Sequence, residues 1–148
     1  MNLESILDTL FDKDTSKAFE SLKELELLSD NTDMLYPYIN KFVEMANSEK
    51  NVIRVRGFRL FCKQAKWDTE NMINKHLNDV LVILDDEKPT AIRQALQYLE
   101  FIVPYKMELN ERIKEAALSI DCTKFKDTMR PLIEKDVQNL VRLIEAQS

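Results

Sequence analysis

The chain has 148 residues, a formal net charge of -5, 45% hydrophobic and 32% charged residues, and a single glycine. That length supports one core without disulfide or metal staples, and one glycine excludes both a sheet fold built on tight turns and a glycine-rich phosphate loop. No apolar run approaches the roughly 20 residues needed to cross a bilayer, and the acidic start MNLESILDTLFDKD lacks a basic segment followed by an apolar one, so a cytoplasmic protein without membrane association is expected.

Helical spacing predicts eight helices in four pairs, within a single domain over residues 1–148. The first pair covers 2–11 and 15–28, with Leu3, Ile6, Leu7 and Leu10 on one stripe, Ala18, Phe19, Leu22 and Leu25 on the next, and Asp12 and Asp14 punctuating the turn. The second covers 34–47 and 50–66, broken by the polar Asn47-Ser48. In the third, 69–84 and 89–103, Asp68 is a candidate cap and Pro89 suits an opening turn, where its missing N–H costs little. The fourth covers 107–120 and 127–146. There Asp127 and Pro131 repeat the spacing of Asp33 and Pro37, each a helix start with proline in its first turn.

The pairs echo one another. Met34, Leu35, Ile39, Phe42, Val43 and Ala46 return 38 residues later as Met72, Ile73, Leu77, Val80, Leu81 and Leu84. Gly57, Phe58, Phe61, Ala65 and Trp67 return at the same offset as Ala95, Leu96, Leu99, Val103 and Tyr105. The outer pairs join with altered loop lengths, the first at an offset of 36 or 39 and the last at 36 or 41, giving repeats over 2–28, 34–66, 69–103 and 107–146. Stacked helical hairpins carry this signature. Ala18, Gly57 and Ala95 form a small position where helix backbones approach closely, and Asp136 replaces it in the last repeat.

Ile53-Arg54 followed by Gly57 and Leu60-Phe61, and Ile92-Arg93 followed by Ala95 and Leu99, each come after polar turn residues, Ser48 to Asn51 and Asp85 to Lys88. In this the chain resembles HEAT-type and armadillo-type repeat proteins, among them a group of short, uncharacterised bacterial HEAT-like proteins. The resemblance implies an all-α fold, a right-handed α-α superhelix whose second helices line the concave face. HEAT motifs carry a turn aspartate and a Val-Arg pair; here the arginines are kept, while Ser48 and Asn51 occupy one of the turns.

Equivalent positions on successive second helices stand side by side in such a stack. Three outward rows follow: Lys17, Arg56, Gln94 and Lys135; Glu20, Arg59, Gln97 and Gln138; Glu24, Lys63, Phe101 and Arg142. They hold six basic and two acidic residues, a cationic face on an acidic protein that suits an acidic segment of a protein partner. Glu20 beside Arg59 and Glu24 beside Lys63 are expected to form inter-repeat ion pairs, so Lys17, Arg56, Lys135 and Arg142 are the stronger binding candidates. Phe101 is either a partner's anchor or, by a small helix rotation, part of the core, and the core is the favoured reading.

Cys62 and Cys122 form no CxxC pair and no metal spacing, and Cys62 is expected to be buried and reduced. His76 is the one histidine and has no nucleophile placed beside it by sequence. Trp67 and Tyr105 close their helices over the hairpin ends, polar edge to water; stacking on a nucleic-acid base is the alternative. No catalytic residue, metal or cofactor is expected. A non-enzymatic adaptor is therefore the leading reading. Nucleic-acid or glycosylase-like activity is opposed by the clustering of basic residues between Lys50 and Lys66, and an oligomerising module would use Leu3, Ile6, Leu140 and Ile144. The oligomeric state is left open.

Overall fold

The computed structural model describes residues 2–147. Among them eight α-helices appear and no strand: α1 (Leu3–Asp8), α2 (Thr15–Asn31), α3 (Ile39–Ala46), α4 (Asn51–Lys63), α5 (Met72–Val80), α6 (Pro89–Leu99), α7 (Asn110–Leu118) and α8 (Arg130–Gln147). The first helices of the pairs are shorter than their apolar spacing predicts, because short 3-10 segments take up their ends: Thr9–Phe11 after α1, Tyr36–Tyr38 before α3, Leu81–Asp85 after α5 and Met107–Leu109 before α7. A 3-10 turn advances three residues per turn instead of 3.6, so it preserves an apolar stripe over one turn while tightening the helix end.

Local chemistry explains the starts. The Asp14 carboxylate accepts from the N–H groups of Ser16 and Lys17 and caps α2. Pro89 opens α6, as its missing N–H allows. Asp68 caps α5 from four residues upstream, accepting from Met72 N at 2.8 Å and Ile73 N at 2.9 Å across Asn71, which takes a left-handed φ of 56°. Asparagine tolerates that conformation better than bulkier residues do.

Within the second hairpin α4 packs on α3, and sideways it packs on α2 and on α6; α6 in turn packs on α8, while α3 meets α5 and α7 meets α8. The second helices α2, α4, α6 and α8 thus follow one another in a row. The first helices back that row. One continuous core cluster runs between, from Leu7 through Phe42, Phe58, Phe61, Ile92 and Leu99 to Ile144. Leu140 and Ile144, proposed from sequence as terminal contacts for an oligomer, belong to this core instead, at 0% and 3% exposure. The reason is that α8 turns its apolar stripe onto α6 and α7.

Gly57 marks the closest approach in the core. A Cβ built there would lie 2.5 Å from Met45 Cβ, 2.7 Å from Phe42 O and 2.8 Å from Ala46 N. The close approach is with α3, its partner in the hairpin.

Polar joints tie repeat to repeat. Arg54 donates from Nε and Nη2 to Asp86 Oδ2 at 3.0 and 2.6 Å, and from Nη1 to the carbonyls of Ser48 and Glu49, so it clasps two inter-helix turns together. Arg93 Nε donates to Asp136 Oδ2 at 2.7 Å. Asp136 is 6% exposed, so the last repeat's small position is an acid because it receives this arginine. Asp68, its side chain fully buried, accepts the Tyr36 hydroxyl at 2.6 Å and lies 3.1 Å from Lys106 Nζ, itself only 7% exposed. Burial raises the Asp68 pKa, but hydrogen bonds from Tyr36, Ile73, Met72 and Lys106 outweigh it and hold the carboxyl below its ordinary value.

Candidate binding face on the second helices

The three rows expected from sequence fall on α2, α4, α6 and α8, and the structure divides their six cations into three sets: exposed, paired in place, and, for Arg56 alone, buried where an outward position was expected. Lys17 on α2 and Lys135 and Arg142 on α8 are exposed. None of the three has an ion pair among the described residues. Arg59 and Lys63 are neutralised in place. Their partners are Glu26 and Asp30, where Glu20 and Glu24 were expected; Glu20 pairs instead with Lys23 on its own helix.

The correction has a simple cause. Arg59 meets Glu26 and Lys63 meets Asp30 across 33 residues, and Gln64 Nε2 donates to Ser29 Oγ across 35, so α4 lies four to six residues, between one and two helical turns, farther along α2 than an offset of 39 requires. Apolar stripes repeat every turn and survive such a shift. Polar neighbours do not.

Arg59 grips Glu26 with both Nε (2.9 Å) and Nη2 (2.7 Å), donates from Nη1 to Gln94 Oε1 at 3.0 Å, and lays its guanidinium over the Tyr98 ring at 4.6 Å. Burial opposes its charge, but Glu26 more than restores it and the pKa rises. Burial and Glu26 also push the Tyr98 phenol well above its ordinary range. This cluster fastens three second helices. Lys63 caps the Phe101 ring at 3.8 Å, and Phe101, favoured from sequence as core, is 41% exposed because its ring covers the lysine instead of the fourth repeat. Trp67 likewise turns its Nε1–H to the Ser29 carbonyl at 2.6 Å instead of to water.

Arg56 is different from every other arginine on α4 and α6. It is 8% exposed, its Nη1 donates to the Leu10 carbonyl at 2.7 Å, and no carboxylate pairs with it among the described residues. Burial lowers its pKa, yet a guanidinium keeps its proton. The result is a largely covered cation with a carbonyl partner but no carboxylate among the described residues. It lines a groove formed where the first turns of α2 (Thr15, Ser16), α4 (Asn51, Val52) and α6 (Thr90, Ala91) come together. Leu22 and Val55 are its buried apolar lining, and Phe19 and Val52 stand exposed at its rim.

No side chain caps α4 or α6: the residues before them are Lys50 and Lys88, which bond back to Ser48 Oγ and Asp86 Oδ1. Sequence reasoning missed this groove, although those two lysines in cap positions were its visible trace.

Elsewhere, Cys62 is fully buried and burial pushes its thiol pKa well up, so it is an inert packing group. His76 Nδ1 lies 3.1 Å from Asp79, and its Nε2 is buried without a partner. Among the described residues no group of three or more His, Cys, Asp and Glu side chains is placed to hold a metal, and no helix is long and apolar enough to cross a membrane. Comparison with protein-family models, curated proteins and solved structures finds no match to this chain.

Proposed function

We propose that the chain is a non-enzymatic, cytoplasmic scaffold of the HEAT or armadillo kind, its hairpins stacked in a right-handed superhelix, which holds an acidic segment of a protein partner against its second helices. One observation carries the reading. On α4 and α6, Arg54, Arg59 and Arg93 each have a carboxylate of their own, whereas Arg56, with Lys17, Lys135 and Arg142 on the flanking helices, has none among the described residues. On a protein of net charge -5, four open cations on one row of helices form a local attraction for negative charge.

Anisotropy of a fluorescein-labelled octaglutamate peptide tests this, with octalysine as the control. Octaglutamate is expected to bind at low salt, and Lys17→Glu, Lys135→Glu and Arg142→Glu combined are expected to weaken it tenfold or more. Binding indifferent to the triple reversal at both low and high salt would rule out this face. A 12-base-pair DNA duplex is expected to stay unbound; binding with a steep salt slope would move the reading to nucleic acid.

A further inference from the structure

We propose that the groove at Arg56 is a receptor for the free C-terminal carboxylate of a partner chain whose last side chain is apolar. This rests on the scaffold reading above and names the group that reading leaves open.

Four observations lead there. Arg56 is more than nine-tenths buried and carries a charge that no carboxylate answers among the described residues. A buried charge is costly unless paired, and a bound carboxylate would supply the pair through the Nε and Nη2 edge that Leu10 leaves unused. The helices opening onto the groove are 17, 13 and 11 residues long, and their first-turn N–H groups point out of the helix ends. Asp14 takes those of α2, but no side chain takes those of Asn51 and Val52 on α4 or Thr90 on α6. Uncapped helix starts beside an arginine favour an anion.

Charge and size then select the anion. Arg59, the other cation on the wall, is already held by both oxygens of Glu26, so the groove offers one open charge. That matches a singly charged carboxylate better than a phosphate group of nearly two charges. At about 480 Å³ the groove lies in the lower part of the usual range for ligand sites, a size that accommodates the end of a chain. A last residue carries its carboxylate and its side chain on a single Cα. The acid therefore reaches Arg56 while the side chain covers Leu22 and Val55, between the Phe19 and Val52 rims. Capture of a terminal carboxylate by arginine and backbone N–H groups is an established mode of peptide recognition.

The test is an NMR titration of the 15N-labelled chain with three tripeptides: N-acetyl-Ala-Ala-Leu as the free acid, the same peptide as its C-terminal amide, and N-acetyl-Ala-Ala-Glu amide, whose acid is on a side chain. The free acid is expected to shift the amide signals of Asn51, Val52 and Thr90 saturably, and both amides to bind at least tenfold more weakly. Arg56→Gln is expected to abolish the shifts. Because that change also removes the bond to Leu10, Val52→Asp provides a second variant: it stands exposed in the first turn of α4, where an acid suits the helix, and sets a repelling charge at the rim. It is expected to weaken the free acid tenfold or more with thermal stability unchanged.

Equal binding of acid and amide, or full binding by Val52→Asp, would overturn the inference. Tighter binding of the Glu amide would overturn the terminal assignment while leaving the acidic-segment reading in place. Loss of octaglutamate binding alone would do the reverse. Shifts at these residues that follow protein concentration without peptide would assign the groove to a second copy and also overturn it.

Discussion

Gly57 shows how far a single residue is legible from sequence. Its lack of a side chain signals a close approach, and the structure supplies the neighbour, the backbone of α3 at Phe42 and Ala46. Alanine there should gain about 1 kcal/mol in helix propensity. A Cβ 2.7 Å from a carbonyl oxygen and 2.8 Å from a backbone nitrogen cannot be relieved by a rotamer change, and overpacking of this kind costs about 1–3 kcal/mol. Gly57→Ala is therefore expected to lower the urea midpoint; an unchanged or raised midpoint would contradict the packing. Asp68 was legible as a cap but not as the partner of Tyr36 and Lys106, because those contacts span more than 30 residues in either direction. Asp68→Asn leaves Lys106 buried without its counter-charge, a loss of about 3–5 kcal/mol at pH 7. Since the folded carboxyl titrates below its unfolded value of about 3.9, the unfolded chain takes up the proton first as the pH falls. The stabilisation is whole above about pH 5 and drains away as the pH falls toward the folded pKa. The gap in urea midpoint between the wild type and Asp68→Asn should accordingly narrow from pH 7 to pH 3; a constant gap would show that Asp68 acts by packing alone.

At the scale of elements, the apolar stripes located all eight helices, while the register between neighbouring helices was legible only to within two turns. A stripe repeats every 3.6 residues, so sliding α4 along α2 by one to two turns leaves Phe58, Leu60 and Phe61 buried and changes only which polar groups meet. Glu26, on the margin of the α2 stripe, is 8% exposed and holds Arg59; Glu20, which sequence alone placed opposite Arg59, points to solvent. The two glutamates give opposite expectations. Glu26→Gln breaks a pair with both side chains at most 13% exposed and should cost about 3 kcal/mol or more. Glu20→Gln should stay within about 0.5 kcal/mol. Thermal unfolding of the two variants side by side measures this, and equal effects would restore the 39-residue register. The groove at Arg56 belongs to this scale as well. Capless starts at Lys50 and Lys88 are visible in the sequence, but only the side-by-side packing of α2, α4 and α6 brings them to one place.

Across the whole molecule, the 38-residue echo was the strongest signal in the chain, and it corresponds to hairpins that repeat their contacts: α2 on α4, α4 on α6, α6 on α8. Net charge gave no guide to the proposed binding face, since acidic side chains dominate the sum while four cations on the second helices have no carboxylate partner among the described residues. A shared cationic face requires those helices to stand in series, with Arg56 between the ends of the row. Distance measurement by pulsed electron resonance between nitroxides at Lys17→Cys and Lys135→Cys, in a background with Cys62→Ala and Cys122→Ser, tests this most directly. Both labels sit on exposed positions, one on α2 and one on α8. Three interhelical steps of about 8–10 Å predict a separation near 25–30 Å between the helix axes. A distance near 10 Å, which a ring closed by α2 against α8 would give, would contradict it.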